Sequence, residues 1–255
     1  MSLDDVKKLR ELTGAGMMDC SQCLEEAAND MDKAIEILRK KGLEKAGKKS
    51  ERVTNEGLVA MAQDGKKIAV ASLLCETDFV ARNEIFVAAV DEFADKLLTT
   101  PEEEFKTWAQ DKITDELIVK IGENLQLGDF GVIEGEVIGK YLHADKKQAA
   151  VVVLDGGAEE LANDVAMQVV AMSPDYLVPE EVPADILEKE KDVYREQMKN
   201  EGKPEEVIEK IILGKLNKFY SEVCLVKQPF IKDDKQTIEQ ILGEAKAVKF
   251  ARYRI

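Results

Sequence analysis

The chain has 255 residues, a formal net charge of −15, 45% hydrophobic and 34% charged residues, six prolines and four cysteines. A chain of this length buries a sizeable core in two or more modules, and its ordinary composition excludes disorder throughout. The negative balance excludes general binding to nucleic acid or to an anionic membrane, and no segment approaches the roughly 20 apolar residues that cross a bilayer.

Four cysteines (Cys20, Cys23, Cys75, Cys224) in a chain of this size do not make a disulfide scaffold. The opening Met1-Ser2-Leu3-Asp4-Asp5 lacks the charged and apolar regions of a signal peptide, so the expected location is the cytoplasm.

Three short helices are expected first. Val6 and Leu9 share a face of one that ends at Thr13-Gly14-Ala15-Gly16, with Leu12 a further candidate for that face. Asp19 is placed to cap a second helix carrying Cys20, Cys23, Leu24 and Ala27. Asp30 or Asp32 starts a third with Ala34, Ile35 and Leu38, and Gly42 is expected to stop it. Residues 44–55 then read as a charged hinge. Between Arg39 and Arg52 stand seven basic residues against Glu44 and Glu51, either a solvated linker or a contact for an acidic partner surface. Gly42 to Lys49 has the glycine and lysine spacing of a phosphate loop. It lacks the Ser/Thr that holds magnesium and the preceding strand, so no phosphate site is expected there.

The main body contains a repeat. Residues 57–94 read strand, Asp64-Gly65-Lys66-Lys67 turn, strand, loop, helix, and residues 135–172 read the same around an Ala144-Asp145-Lys146-Lys147 turn. The second copy joins strand to helix with Asp155-Gly156-Gly157-Ala158. The first uses the longer Glu76-Thr77-Asp78-Phe79-Val80-Ala81-Arg82-Asn83, which sets an acid beside an aromatic and so suggests a use beyond connection. Between the copies Thr100-Pro101-Glu102-Glu103 starts one helix, and residues 114–124 form another.

Two charged helical runs follow, residues 184–200 and 205–221, joined by Glu201-Gly202-Lys203-Pro204. Ile186, Val193, Tyr194, Gln197 and Met198 form a narrow stripe on one, and Val207, Ile208, Ile211, Leu216 and Phe219 on the other. At 1.5 Å per residue such a hairpin projects about 25 Å. A strand at residues 223–226, a helix at 236–244 and a last strand ending at Ile255 close the chain.

The fold class expected is α+β. A three-helix module with its basic linker takes 1–54, and a first core subdomain takes 55–134. A second core subdomain takes 135–182 and 223–255, interrupted by an inserted helical hairpin at 183–222.

Leu9 to Cys20 and Thr77-Asp78-Phe79-Val80-Ala81-Arg82-Asn83 resemble the two signature segments of translation elongation factor Ts. Lys120-Ile121-Gly122-Glu123-Asn124, Tyr141-Leu142-His143, Gly202-Lys203-Pro204 and Gln228-Pro229-Phe230 resemble further landmarks of that family, in the same order, so the resemblance spans the chain. It implies an N-terminal module similar to the ubiquitin-associated three-helix fold. It also implies a guanine-nucleotide exchange factor for the GTPase elongation factor Tu, without covalent chemistry or a cofactor.

Thr77, Asp78, Phe79 and Val80 are then expected to intrude beside the partner's magnesium site, so that magnesium and GDP leave. Leu12, Thr13, Gly14, Ala15, Gly16, Met17, Met18 and His143 are expected to dock the partner. Two departures stand out: Cys23 replaces a more usual alanine, and no C-terminal helical module follows the last strand. Cys20 and Cys23 are not expected to hold a metal. The alternatives are an adaptor using the three-helix module, and an enzyme using Asp78, Glu76 or Cys75. The second lacks a base and a paired nucleophile.

Overall fold

The computed structural model describes residues 2–49, 52–202 and 204–255. The hinge residues Ser50 and Glu51, and Lys203 of the hairpin connection, lie outside them. The fold is α+β, in two compact units.

The first unit comprises Met1–Ile133, Ala144–Gln148 and Tyr253–Ile255. It opens with α1 (Leu3–Thr13), whose start is a capping box: the Ser2 hydroxyl accepts from the Asp5 N–H at 3.1 Å and the Asp5 carboxylate accepts from the Ser2 N–H at 3.1 Å. The Ser2 hydroxyl, donating to the Asp5 carboxylate at 2.7 Å, and then the Ser2 N–H hold this exposed carboxyl below its usual range. α1 ends at Gly14, whose φ of +70° lets its N–H reach the Arg10 carbonyl at 2.7 Å.

α2 (Met17–Glu26) has its N-cap at Gly16, three residues before the expected Asp19, which lies in its first turn. α3 begins at Met31, after Asp30, whose carboxylate accepts from the Lys33 N–H at 3.1 Å. Val6, Leu9, Cys20, Cys23, Leu24, Ala27, Ala34 and Leu38 close this bundle. Leu12 does not join it and stands exposed.

The third helix does not stop at Gly42. α3 runs Met31–Lys49, through the stretch read as a hinge and as a phosphate-loop look-alike. Gly42 is buried, and a Cβ there would lie 2.2 Å from Cγ2 of Val119. The residue is glycine because another helix passes close by.

β1 (Glu56–Asp64) and β2 (Lys67–Cys75) form an antiparallel hairpin with Asp64 opposite Lys67 and Glu56 opposite Cys75. After a short α4 (Asp78–Ala81), α5 (Glu84–Thr99) covers the hairpin, where Ala60, Ala62, Ala69 and Ala71 make room for it. α6 (Glu102–Lys112) starts as expected. The helix predicted for residues 114–124 is instead a π turn, Ile113–Leu117, running into α7 (Ile118–Ile121). Phe93 packs edge-on against Phe105 and Trp108, with ring centres 6.1 and 5.1 Å apart. β3 (Leu125–Glu134), absent from the sequence reading, lies beside β2 as the third strand. The Ala144–Gln148 turn joins this unit: the Lys146 carbonyl accepts from the Val59 N–H at 2.7 Å, and Lys147 Nζ meets the Glu56 carboxylate at 2.5 Å.

The second unit comprises Glu134–His143 and Ala149–Arg252. β4 (Val137–Leu142) and β5 (Gln148–Asp155) pair antiparallel, and α8 (Glu159–Met172) crosses them so closely that a Cβ on Gly139 would meet the Ala162 carbonyl carbon at 2.2 Å. α9 (Ala184–Asn200) and α10 (Glu205–Val223) form the expected hairpin. Met198, Ile208, Ile212 and Leu216 are buried in its seam, whereas Val193 and Val207, assigned to the stripe, are exposed. Residues 223–226 are no strand: α10 ends there and a 3₁₀ turn, Leu225–Lys227, follows. The short β6 (Pro229–Phe230) and β7 (Asp233–Thr237) lead to α11 (Ile238–Leu242) and β8 (Lys246–Arg254), which completes a sheet in the order β4-β5-β8. The buried Gln168 amide donates to the Gln228 side chain at 3.2 Å and to the Pro229 carbonyl at 3.0 Å. The Gln228-Pro229-Phe230 landmark thereby anchors the chain where it returns from the hairpin.

Each half thus carries a hairpin, a covering helix and a third strand, so the internal repeat read from the sequence extends to one more strand per copy.

Candidate functional site

The two copies differ where the second strand turns into the covering helix. In the second unit Gly156 and Gly157, at φ +80° and +85°, reverse the chain directly into α8. In the first unit the same passage contains α4. Thr77 precedes it with extended backbone and caps it, its hydroxyl accepting from the Val80 N–H at 3.4 Å. Asn83 then caps α5, its side-chain oxygen accepting from the Ile85 N–H at 2.8 Å.

One turn of helix fixes opposite fates for adjacent side chains. Ala81 is buried and Val80 packs on the core, while Phe79, one position earlier than Val80, is 80% exposed. Asp78 lies at the N-terminal end of the turn, partly exposed, and is held by the Arg82 guanidinium at 3.0 Å, one turn on. The turn therefore presents an acid and an aromatic ring together at the surface. A single exposed apolar side chain is ordinary. This one sits on a backbone with unusually complete support.

That support comes from Glu123. Its Oε2 accepts from the N–H groups of Glu76 and Thr77, at 3.1 and 3.0 Å, and its Oε1 accepts from the Thr77 hydroxyl at 2.6 Å. Glu76 answers by accepting from the Asn124 N–H at 2.7 Å, and the buried Asn124 side chain donates to the Arg52 carbonyl at 2.8 Å. Gly122, at φ +86°, ends α7 and swings Glu123 into place. The Lys120 to Asn124 stretch was singled out in the sequence, but its role in bracing residues 76 and 77 was not. A glycine followed by an acid between helix and strand is the only local signal.

Cys75, beneath this loop, donates from Sγ to the Thr77 carbonyl at 3.3 Å. Burial first, then the Glu123 and Glu56 carboxylates, pushes its thiol up to about 12. It stays protonated near neutral pH, which argues against an enzyme built on Cys75.

The Leu12 to Met18 segment belongs to the same unit. Thr13 donates from Oγ1 to the Leu9 carbonyl at 2.7 Å, and Ala15 is buried. Leu12 and Met18 are 60% and 87% exposed, with Met17 half-buried between them. Leu3, Val6, Met17 and Met18, with Ser2 and Ser21, line an open apolar hollow of about 250 Å³ beside this loop. This end of the bundle rests on the segment that leads to Glu123. Val119 packs into the bundle core, Arg39 pairs with Asp115, and a Cβ on Gly14 would lie 2.9 Å from Lys120 Cγ. Residues 113–124 therefore carry the Leu12–Met18 loop along their length and the Thr77–Val80 turn at their end.

His143, in the second unit, is half-buried just after β4, with its ring centre 6.5 Å from that of Tyr141. Cys20 and Cys23 are both buried, and burial raises both thiols above their ordinary value. Among the described residues no group of three or more His, Cys, Asp or Glu gathers as metal ligands, and no helix is long and apolar enough to cross a membrane.

Comparison with known proteins agrees with the resemblance. Residues 76–255 match the family model described as "Elongation factor TS". The chain is 42% identical over 261 residues to "Elongation factor Ts" of Deinococcus deserti, covering 99% of each. It is 46% identical over 252 residues to that of Hydrogenobaculum sp., covering 94% of this chain and 92% of the relative. To that of Aquifex aeolicus it is 42% identical, covering 96% and 93%.

Proposed function

Because the chain belongs to the elongation factor Ts family, a family of translation elongation factors, we propose that it is a guanine-nucleotide exchange factor that binds the GTPase elongation factor Tu in the cytoplasm and promotes loss of magnesium and GDP. The observation that carries this reading is the Thr77–Val80 turn. It offers Phe79 to a partner's surface and sets Asp78 beside it, on a backbone already fixed by Glu123. In the docked state Phe79 wedges between partner side chains, while the Asp78 carboxylate perturbs the surroundings of the partner's magnesium.

The work is done by coupling, with no bond made or broken. Whatever lowers the GTPase's affinity for GDP when this chain is bound must lower the chain's affinity by the same factor when GDP is bound. Burying an exposed phenylalanine contributes roughly 1.5–3 kcal/mol. That energy accelerates release only if it is gained in the GDP-free state and withheld in the GDP-bound one. A wedge that fits only after the nucleotide site has opened meets this condition, and its fixed backbone limits the ordering cost of docking.

Leu12 to Met18 and His143 are assigned to docking. They supply affinity that does not distinguish the nucleotide states, so their loss weakens association without altering the release step. In domain terms, 1–54 docks, 55–134 carries the wedge, and the second core subdomain, 135–182 with 223–255, makes the His143 contact.

The test is GDP release from purified elongation factor Tu, followed with a fluorescent nucleotide, with and without this chain. A concentration-dependent acceleration that Asp78→Ala and Phe79→Ala each reduce supports the assignment. No acceleration by the folded wild-type chain with a matched partner rejects it, and an adaptor role for the three-helix module would then fit better.

A further inference from the structure

We propose that Glu123 is the positioning residue for the exchange turn, holding Asp78 and Phe79 in their working orientation by gripping the two residues before them; this rests on the exchange function proposed above. Three donors converge on one half-buried carboxylate: the N–H of Glu76, the N–H of Thr77 and the Thr77 hydroxyl. Hydrogen bonds to an ionised acceptor are about twice as strong as neutral ones. The 2.6 Å bond from Thr77 Oγ1 has a further consequence. Once that hydroxyl donates to Glu123, its lone pairs are free to accept from the Val80 N–H, which is the bond that starts α4. Glu123 thus sets both the backbone entering the turn and the cap that makes it helical.

The grip is reciprocal. Glu76 accepts from the Asn124 N–H at 2.7 Å, so residues 76–77 and 123–124 are tied in both directions although 46 to 48 positions separate them. Gly122, at φ +86°, gives Glu123 its approach. Inside the turn itself the ties are the Thr77 cap, the exposed Asp78–Arg82 pair, and main-chain bonds from the Ala81 N–H to the Thr77 carbonyl at 3.2 Å and from the Arg82 N–H to the Phe79 carbonyl at 3.3 Å. Two of these ties run through Thr77, the residue that Glu123 grips, so Glu123 fixes the point from which the turn, and with it Phe79, is oriented.

The experiment compares wild type with Glu123→Gln, which keeps the size but leaves one acceptor oxygen where two were used. Thr77→Val, which removes only the hydroxyl bond and the cap, serves as a second variant should the first misfold. With elongation factor Tu and fluorescent GDP, the maximal release rate at saturating chain should fall about tenfold or more, as expected for lost hydrogen bonds to a charged group. The half-saturating concentration should move less than about threefold, because docking elsewhere is intact. Combining Phe79→Ala with Glu123→Gln should cost less than the two single losses together, since a positioning residue acts through what it positions. In the isolated chain, hydrogen exchange at the Glu76 and Thr77 amides should quicken in Glu123→Gln while the β1–β2 amides keep their protection.

Full release activity in Glu123→Gln, or losses that add fully to those of Phe79→Ala, would overturn the proposal. Unchanged exchange at both amides would overturn it as well. Failure of the wild-type chain to release GDP would instead reject the exchange function, and the amide measurement alone would then decide whether Glu123 holds the turn.

Discussion

Gly42 and Val119 touch: a Cβ added to the glycine would lie 2.2 Å from Cγ2 of the valine. The contact presses α3 of the three-helix bundle onto α7, the helix that ends at Gly122 and delivers Glu123 to the exchange turn. Gly42→Ala should therefore destabilise the chain. The overpacking cost of about 1–3 kcal/mol opposes a gain in helix propensity of about 1 kcal/mol. Urea unfolding checks the sign, and adding Val119→Ala should restore much of the loss by making room. A stabilising Gly42→Ala would show that the two helices do not need this closeness.

Phe79→Ala should separate function from stability. The ring is 80% exposed, so unfolding in urea should shift by no more than about 0.5 kcal/mol. GDP release from elongation factor Tu should nevertheless slow by roughly tenfold or more, on the scale of a buried phenylalanine. A variant that is as stable and as active as wild type would remove the wedge from the mechanism.

His143→Ala should do the opposite in binding terms. Its expected effect is weaker association with the nucleotide-free GTPase, measured by calorimetry, and an unchanged maximal rate of GDP release. A slower maximal rate at saturating chain would move His143 from docking to the release step.

Alkaline conditions should weaken the fold through Cys75. Its folded-state thiol is raised from 9.0 to about 12, so above pH 9 the unfolded chain releases a proton that the folded chain keeps. The stability present below pH 9 is then lost as pH rises toward 12, by up to about 1.4 kcal/mol for each pH unit. Cys224, raised to about 11 by burial, acts in the same direction between pH 9 and 11. Urea unfolding across pH 8 to 10.5 should show a negative slope that Cys75→Ala makes shallower. Equal slopes in the two proteins would contradict the shifted thiol.

Local patterns made much of this fold legible. The hairpins announce themselves by apolar runs around Asp64-Gly65 and Ala144-Asp145, and the bundle by the spacing of Val6, Leu9, Cys20, Cys23 and Leu24. What stayed hidden depends on partners distant in sequence. Gly42 has the chemistry of a helix stop and the job of a close contact with Val119. β3 was missed because Gly128 and Gly131 interrupt its apolar pattern. Both are glycine for packing reasons: added Cβ atoms would meet Ser72 Oγ at 2.5 Å and Tyr253 Oη at 2.7 Å. The apolar residues 223–226 imitate a strand, but they finish α10 and enter a 3₁₀ turn.

The candidate site divides in the same way. Asp78 and Phe79 stood out because the repeat supplies an internal twin without them. Glu123 did not, because an acid between a helix and a strand has no periodicity, and its three donors lie 46 and 47 positions away. Leu12 looked equally able to close the bundle or to leave it, and only the packed structure shows its side chain exposed.

The most direct measurement is the affinity of this chain for elongation factor Tu in two states, nucleotide-free and saturated with GDP, under the same magnesium concentration. Exchange by coupling predicts markedly tighter binding to the nucleotide-free GTPase, with each tenfold of preference corresponding to about 1.4 kcal/mol. Phe79→Ala should shrink that preference by weakening the nucleotide-free complex. Equal affinity for the two states would mean that the chain cannot shift the nucleotide equilibrium, however tightly it binds, and would contradict the exchange function.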